Sequence, residues 1–211
     1  CDGCYRQHLT GHKPLAQIKE EIRFFKQWRN PDNVSIAGGE PLVHPQILDV
    51  VAYIAKSGLK PIILTNGMAL SPELLRELKH AGLAGFTIHI DSQQERPHWQ
   101  GKSEADLNAL RQEYADMIAR ERGMYVIFNS TVYPATFHEI PDVVRWGQAN
   151  IDRVHGLVFI TYRTGITETA IALDPAKREV DLHKLSYTKA RFEDKFVTAP
   201  DVYQIIKDHC P

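Results

Sequence analysis

The feature that most limits this chain is a rhythm. Five short apolar runs recur, the first three closed by glycine or small polar residues, with helical or turn patterns between the runs. Val34-Ser35-Ile36-Ala37 runs into Gly38-Gly39, and Pro61 to Thr65 into Asn66-Gly67. Gly85 to Asp91 runs into Ser92, Met124 to Val132 into Tyr133-Pro134, and Val154 to Tyr162 into Arg163. Apolar runs of this kind read as strands covered on both faces. Between them lie amphipathic stretches. Ile47, Val50, Val51 and Ile54 repeat at helical spacing until Gly58. Ser71-Pro72-Glu73 supplies an N-cap, a first-turn proline and an acid at the positive end of the next helix. Helices are also expected over 14–29, 103–122, 138–150 and 201–209. The strand ends fall at Ala37, Thr65, Asp91, Thr131 and Tyr162, steps of roughly 30 residues, which is the length of a βαβ unit. The pattern predicts an α/β fold on a parallel sheet, with its chemistry at the carboxyl ends of the strands.

Composition narrows the function. The chain has 211 residues, 43% of them apolar, and a net charge of −1. That is a folding composition rather than a disordered one. No apolar run approaches the ~18 residues of a membrane span. The 25 basic and 26 acidic residues leave no basic excess to hold nucleic acid by bulk charge. Three cysteines are too few for a disulfide scaffold. No Met precedes Cys1, and Cys210 is the penultimate residue, so the chain is expected to be cut from a longer one.

Two short motifs carry the candidate chemistry. Cys1-Asp2-Gly3-Cys4 places two thiolates on one turn, close enough to share a metal. Such a pair serves a zinc site given two further ligands, a redox couple after an upstream strand, or an iron–sulfur cluster given a third nearby cysteine. The spacing alone leaves all three open. Gly38-Gly39-Glu40-Pro41 follows a buried strand. The glycines let the backbone approach a ligand, and Glu40 or the loop carbonyls then face a cationic group. Pro41 is expected to keep the loop open. The plain alternative is a tight turn with a surface Glu.

Together these residues resemble the radical S-adenosylmethionine (SAM) superfamily. Cys1 and Cys4 match the second and third cysteines of that family's C-x3-C-x2-C cluster loop. Ser35 to Leu42 resembles its GGE strand end, Leu64-Thr65-Asn66-Gly67 its TNG turn, and Ile88-His89-Ile90-Asp91-Ser92 its ribose motif. The likeness runs from Cys1 to about Arg163. It implies a partial (β/α)6 TIM-like barrel of parallel strands, with the first strand missing from the chain. It further implies a barrel core at 1–163 and a C-terminal extension at 164–211, leading to a region not contained here. The implied cofactors are a [4Fe–4S] cluster, ligated by Cys1 and Cys4, and SAM, cleaved reductively to a 5′-deoxyadenosyl radical. Gly38, Gly39 and Glu40 with Pro41 would hold the SAM amino group, beside Thr65 and Asn66. Asp91 or Ser92 would meet the ribose, and Asn129 or Ser130 the ribose or carboxylate. Arg163 would pair with a carboxylate or an anionic substrate. Gly3 stands where the family often has an aromatic residue near adenine, so Tyr5 or His8 would pack there, or nothing does. The family's first cysteine and its glycine-rich fifth strand are not found. The implied partners are an unknown substrate and a flavodoxin- or ferredoxin-like one-electron donor, and the implied setting is the cytoplasm. Cys210 would begin an auxiliary cluster, or be a lone thiol. The run Cys-Asp-Gly-Cys-Tyr and the last strand look somewhat like tetraether-lipid synthase relatives, and a peptide maturase fits equally.

Other residues carry plainer readings. His89 and Asp91 share one strand face, where a satisfied core histidine outweighs an acid–base role. His8, His44 and His98 read as loop residues, and Trp99 as packing. Arg76-Glu77 and Arg120-Glu121-Arg122 read as solvated helix faces. Substrate choice is expected from loops near 96–101 and 163–200.

Overall fold

Each apolar run becomes a strand whose side chains alternate between a helix-covered face and the inner face of the sheet. In the computed structural model, which describes residues 11–94, 96–162 and 197–210, the strands are β1 (Asn33–Ile36), β2 (Lys60–Thr65), β3 (Gly85–His89), β4 (Tyr125–Val132) and β5 (Gly156–Thr161). All neighbours pair in parallel, in the order β1-β2-β3-β4-β5. The helices are α1 (Leu15–Arg29), α2 (Ile47–Lys56), α3 (Pro72–His80), α4 (Asn108–Ala119), α5 (Ile140–Ala149) and α6 (Ala199–His209). Sequential parallel order with right-handed crossovers sends every connecting helix to one face of the sheet. The core confirms it: Val51, Leu75, Leu78, Leu110 and Ile118 from the helices pack on Ile63, Phe86, Ile88, Val126 and Phe128 from the strands. The opposite face is the inner face of a partial barrel. It carries Leu64, Thr87, Ile127 and Val158 and, nearer the carboxyl ends, His89, Asn129, Thr131 and Ile160.

Local chemistry sets the boundaries. Ser71 Oγ accepts a hydrogen bond from Leu74 N and Pro72 opens α3. Gly67 sits at φ +78, and a Cβ there would meet the Tyr114 ring at 2.9 Å. The turn after β2 therefore needs glycine for both conformation and space.

Several expected boundaries move. The helix expected over 103–122 is regular only over Asn108–Ala119, because Glu104 turns inward to Arg111 and residues 103–107 close as turns. β3 ends at His89 rather than Asp91, since Asp91 Oδ1 accepts from Gln93 N and folds the chain into a short 3-10 turn over Ser92–Gln94. The helix expected from His138 begins as a 3-10 stretch, Pro134–Glu139. The loop after Gly39 does not stay open. Pro41–Val43 forms a 3-10 turn capped by Glu40. At the far end, Val202, Ile205 and Ile206 of α6 join Ile140 and Val144 of α5 in one apolar cluster. No helix among the described residues is long and apolar enough to cross a membrane.

Candidate active site at the carboxyl ends of the strands

Glu40 is the keystone of the β1–β2 side. Its Oε1 accepts from Leu42 N at 2.9 Å and from Thr65 Oγ1 at 2.6 Å. Its Oε2 accepts from Asn66 N at 2.8 Å. Thr65 Oγ1 in turn accepts from Gly67 N at 2.8 Å. One carboxylate thus joins the ends of two strands and caps the turn between them. It is half-buried, not the surface Glu of the plain reading. A carboxylate offers about four lone-pair sites, so capacity remains on Oε2 for a cation. Beside it, a Cβ added at Gly38 or Gly39 would meet nothing within 4 Å, so the backbone here borders open space. A cleft of about 710 Å³ runs from this loop along the outer edge of β1, between α1 and α2.

The β3–β4 side is polar in a different way. His89 Nε2 lies 2.6 Å from Asp91 Oδ2 and 3.3 Å from Thr131 Oγ1. The Asp91 side chain is 2% exposed and that of His89 34% exposed. Asp91 Oδ2 also accepts from Thr131 N at 3.3 Å. Burial pushes the Asp91 carboxyl up, but the hydrogen bond and charge of His89 and the Thr131 contacts outweigh it. The net result lies below the ordinary carboxylate range. Tyr133 follows on the same side, where burial and the nearby Asp91 charge push its phenol up. Its ring centroid lies 5.0 Å from that of Tyr162.

Two buried arginines hold this mouth. Arg96 donates to the backbone carbonyls of Asn66 and His89, and through Nε to Gln94 Oε1 at 2.8 Å. It also lies beside the Tyr114 phenol, which burial pushes up against the pull of this cation. Arg111, fully buried beneath the sheet, meets Glu104 Oε2 at 2.7 Å, Ile90 O at 3.0 Å and Ser130 Oγ at 3.1 Å. Glu104 Oε1 in turn accepts from Ser92 N at 2.7 Å.

The expected site residues are thereby sorted. Gly38, Gly39, Glu40, Pro41, Thr65 and Asn66 come together around one carboxylate. Asp91, Ser92 and Asn129 gather at the next strand ends. Ser130 faces the other way, because strand neighbours alternate: its hydroxyl donates to Ile90 O at 2.7 Å on the helix side. Cys1, Cys4, Tyr5 and Arg163 lie outside the described residues. Cys210 is half-buried with its sulfur 3.7 Å from Pro141 O, and no group of three metal-ligating side chains occurs among the described residues. His44 is occupied by Lys13 O and Gln46 N. Sequence reasoning missed Glu104, Arg111 and Tyr114, and placed Arg96 only in a loop expected to choose substrate. Their partners are distant in the chain, and as letters they are ordinary helix and loop charges.

The profile of the Radical SAM superfamily matches residues 1–147. The chain belongs to that superfamily. An AdoMet-dependent heme synthase of Methanosarcina barkeri is 25% identical over 82% of this chain and 49% of its own length. A GTP 3',8-cyclase of Peptoclostridium acidaminophilum is 34% identical over 64% of this chain and 42% of its own. The chain thus spans about half the length of these relatives. In fold it is similar to Streptococcus suis SuiB, in a crystal structure bound to S-adenosylmethionine, with a TM-score of 0.56 and 17% identity over 78% of this chain and 38% of that one. It is also similar to the Escherichia coli coproporphyrinogen III oxidase HemN, with a TM-score of 0.53 and 13% identity over 92% of this chain and 43% of that one. Radical SAM proteins are enzymes that work with SAM and a [4Fe–4S] cluster, and the five parallel strands here are the partial barrel of that family.

The residues present fit SAM. Its ammonium matches the remaining capacity of Glu40 beside two glycines that leave open space. Asn129 Oδ1 and Ser92 Oγ are shut from solvent and have no hydrogen-bond partner among the described residues. Polar atoms left in that state cost about 1–3 kcal/mol each, and a hydroxyl-rich ligand at this mouth would relieve them.

Proposed function

We propose that this chain is the SAM-binding core of an enzyme that cleaves SAM reductively and uses the resulting radical on a small biosynthetic substrate. Cys1 and Cys4 would be two of the three ligands of the cluster. When bound, the cluster supplies the single electron that splits SAM into methionine and a 5′-deoxyadenosyl radical, which takes hydrogen from the substrate. An external flavodoxin- or ferredoxin-like donor would deliver that electron.

The observation that carries this reading is the Glu40 staple. A carboxylate fixed by Leu42, Thr65 and Asn66 is preorganised to accept an ammonium, so no ordering cost falls on binding. Gly38 and Gly39 let the ligand lie against the backbone. Ser92 and Asn129 would take the ribose, and Arg96 fixes the carbonyls of Asn66 and His89 around it. The inner face supplies the second half of the reaction space. Ile127, Val158 and Ile160 line it, and the latter two are exposed. Such a wall lets a radical meet its substrate away from water.

A cofactor or lipid precursor suits this wall better than a charged peptide. The heme synthase and GTP cyclase relatives support a cofactor precursor in particular. The zinc and thioredoxin-like readings of Cys1 and Cys4 give no account of the Glu40 staple.

The test uses the full-length enzyme, prepared without oxygen and reconstituted with iron and sulfide. With SAM and a strong one-electron reductant it should form 5′-deoxyadenosine, detected by mass spectrometry. Cys1→Ala or Cys4→Ala should abolish it. No deoxyadenosine, together with one tightly bound zinc and no iron, would overturn the reading.

A further inference from the structure

His44 is not used by the reading above. It follows the 3-10 turn that Glu40 caps, and it is half-buried between exposed Val43 and Pro45. A ring in that place fills no core, yet both of its nitrogens are engaged. Nδ1 accepts from Gln46 N at 3.0 Å. Nε2 lies 2.9 Å from Lys13 O. A ring nitrogen that accepts from an amide carries no proton, so Nε2 carries it and donates to the Lys13 carbonyl. The His12 ring stands edge-on to His44, with the centroids 5.0 Å apart.

The two ends of the Nε2 bond belong to different parts of the site. On one side, His44 N donates to Pro41 O at 3.0 Å and Val43 N to Glu40 O at 3.3 Å, so the imidazole is tied through the turn to Glu40. On the other, Lys13 lies a short way after Cys4 in the chain. Its side chain is fixed as well, by a 2.6 Å ion pair to Glu21 of α1. The bond therefore joins the segment leading out of the cysteine motif to the loop whose carboxylate would take the SAM ammonium. Local needs do not account for it. Gln46 N, at the start of α2, is satisfied by Nδ1 alone.

We propose that His44 is a positioning residue that holds the cysteine segment in register with the Glu40 loop through its bond to Lys13 O. The inference rests on the SAM reading, which places the cluster on one of these parts and the SAM ammonium on the other. The electron of the reaction passes between them, so their separation has to be fixed. A strap made before the ligand arrives removes that ordering cost from binding. It benefits a ligand with an amino-acid end on Glu40 and leaves a bare nucleoside indifferent.

The experiment uses the reconstituted full-length enzyme and two probes by calorimetry, S-adenosylhomocysteine and 5′-deoxyadenosine, which has no amino-acid end. His44→Asn puts an amide oxygen near the Nδ1 position and keeps the Gln46 bond, but has no donor at the Nε2 position. His44→Gln puts an amide donor near Nε2. His44→Asn should weaken S-adenosylhomocysteine about 3–10-fold, the worth of one neutral hydrogen bond, and leave 5′-deoxyadenosine unchanged. His44→Gln should restore most of the loss. A residue that only shaped its own turn would give the reverse order, with Asn tolerated and Gln not. Wild-type affinity in His44→Asn, equal weakening of both probes, or a Gln variant as weak as Asn overturns the proposal. Wild-type enzyme that binds no S-adenosylhomocysteine overturns the SAM reading instead. Amide exchange at residues 11–13, faster in His44→Asn than in wild type or His44→Gln, then still judges the strap.

Discussion

Two buried arginines lie at the same strand ends, and they do different things. Arg111 sits under the sheet against a carboxylate, Glu104, and ties it to the Ile90 carbonyl and Ser130. Arg96 sits at the mouth and holds backbone carbonyls of two different strand ends. The first pairing is a closed ionic unit inside the scaffold. The second leaves its charge directed at loops that would touch a ligand. A cation matched by a carboxylate beneath the floor stabilises the fold, whereas a cation spread over carbonyls shapes the site.

The largest expected effect tests the floor. Arg111→Met strands Glu104 in the core and should cost about 3–5 kcal/mol, because a buried charge loses its partner. Chemical denaturation of single variants and of Arg111→Met with Glu104→Gln checks this. The double variant should be more stable than the sum of its parts. Next is the mouth. Arg96→Met removes charged donors to two carbonyls and should cost about 1.5–3 kcal/mol. It should also weaken S-adenosylhomocysteine binding, whereas Arg111→Met should reduce stability far more than affinity in the folded fraction. A similar loss of affinity in both would erase the distinction.

A smaller effect is expected at Glu40. Glu40→Gln keeps most of the shape but weakens bonds to Thr65 and Asn66. It should cost about 1 kcal/mol in stability and lower affinity for SAM, measured by calorimetry, more than affinity for 5′-deoxyadenosine, which lacks the ammonium. The smallest effect concerns acid. The Asp91 carboxyl is held below its ordinary range, so the stability it contributes is present above the unfolded value of about 3.9 and is lost as pH falls below it. Thermal unfolding followed downward from pH 5 should therefore fall more steeply for wild type than for Asp91→Asn.

The sequence and the structure agree most closely where the signal is local. All five strands lie where the apolar runs place them, and Ser71-Pro72 caps its helix as its letters require. The Gly-Gly-Glu-Pro run marked the site, yet it did not show that Glu40 would be spent three times on its own chain. That depends on Thr65 and Asn66 arriving from the next strand. Arg111 illustrates the limit. As a letter it is one charge among many in its helix, and only the packing of α4 on the sheet makes it the most deeply buried polar side chain among the described residues. His89 lay between these cases: its shared face with Asp91 was legible from alternation, but the 2.6 Å contact that joins them was not.

Glu40 has one more consequence. The amides of Leu42 and Asn66 both donate to this carboxylate, so their hydrogen bonds report its electron density. An ammonium arriving on Oε2 competes with the Asn66 amide and leaves Leu42 nearly untouched. Amide hydrogen exchange at these two residues would therefore act as a paired gauge, one needle moving and one still, that senses charge at the mouth before any chemistry takes place.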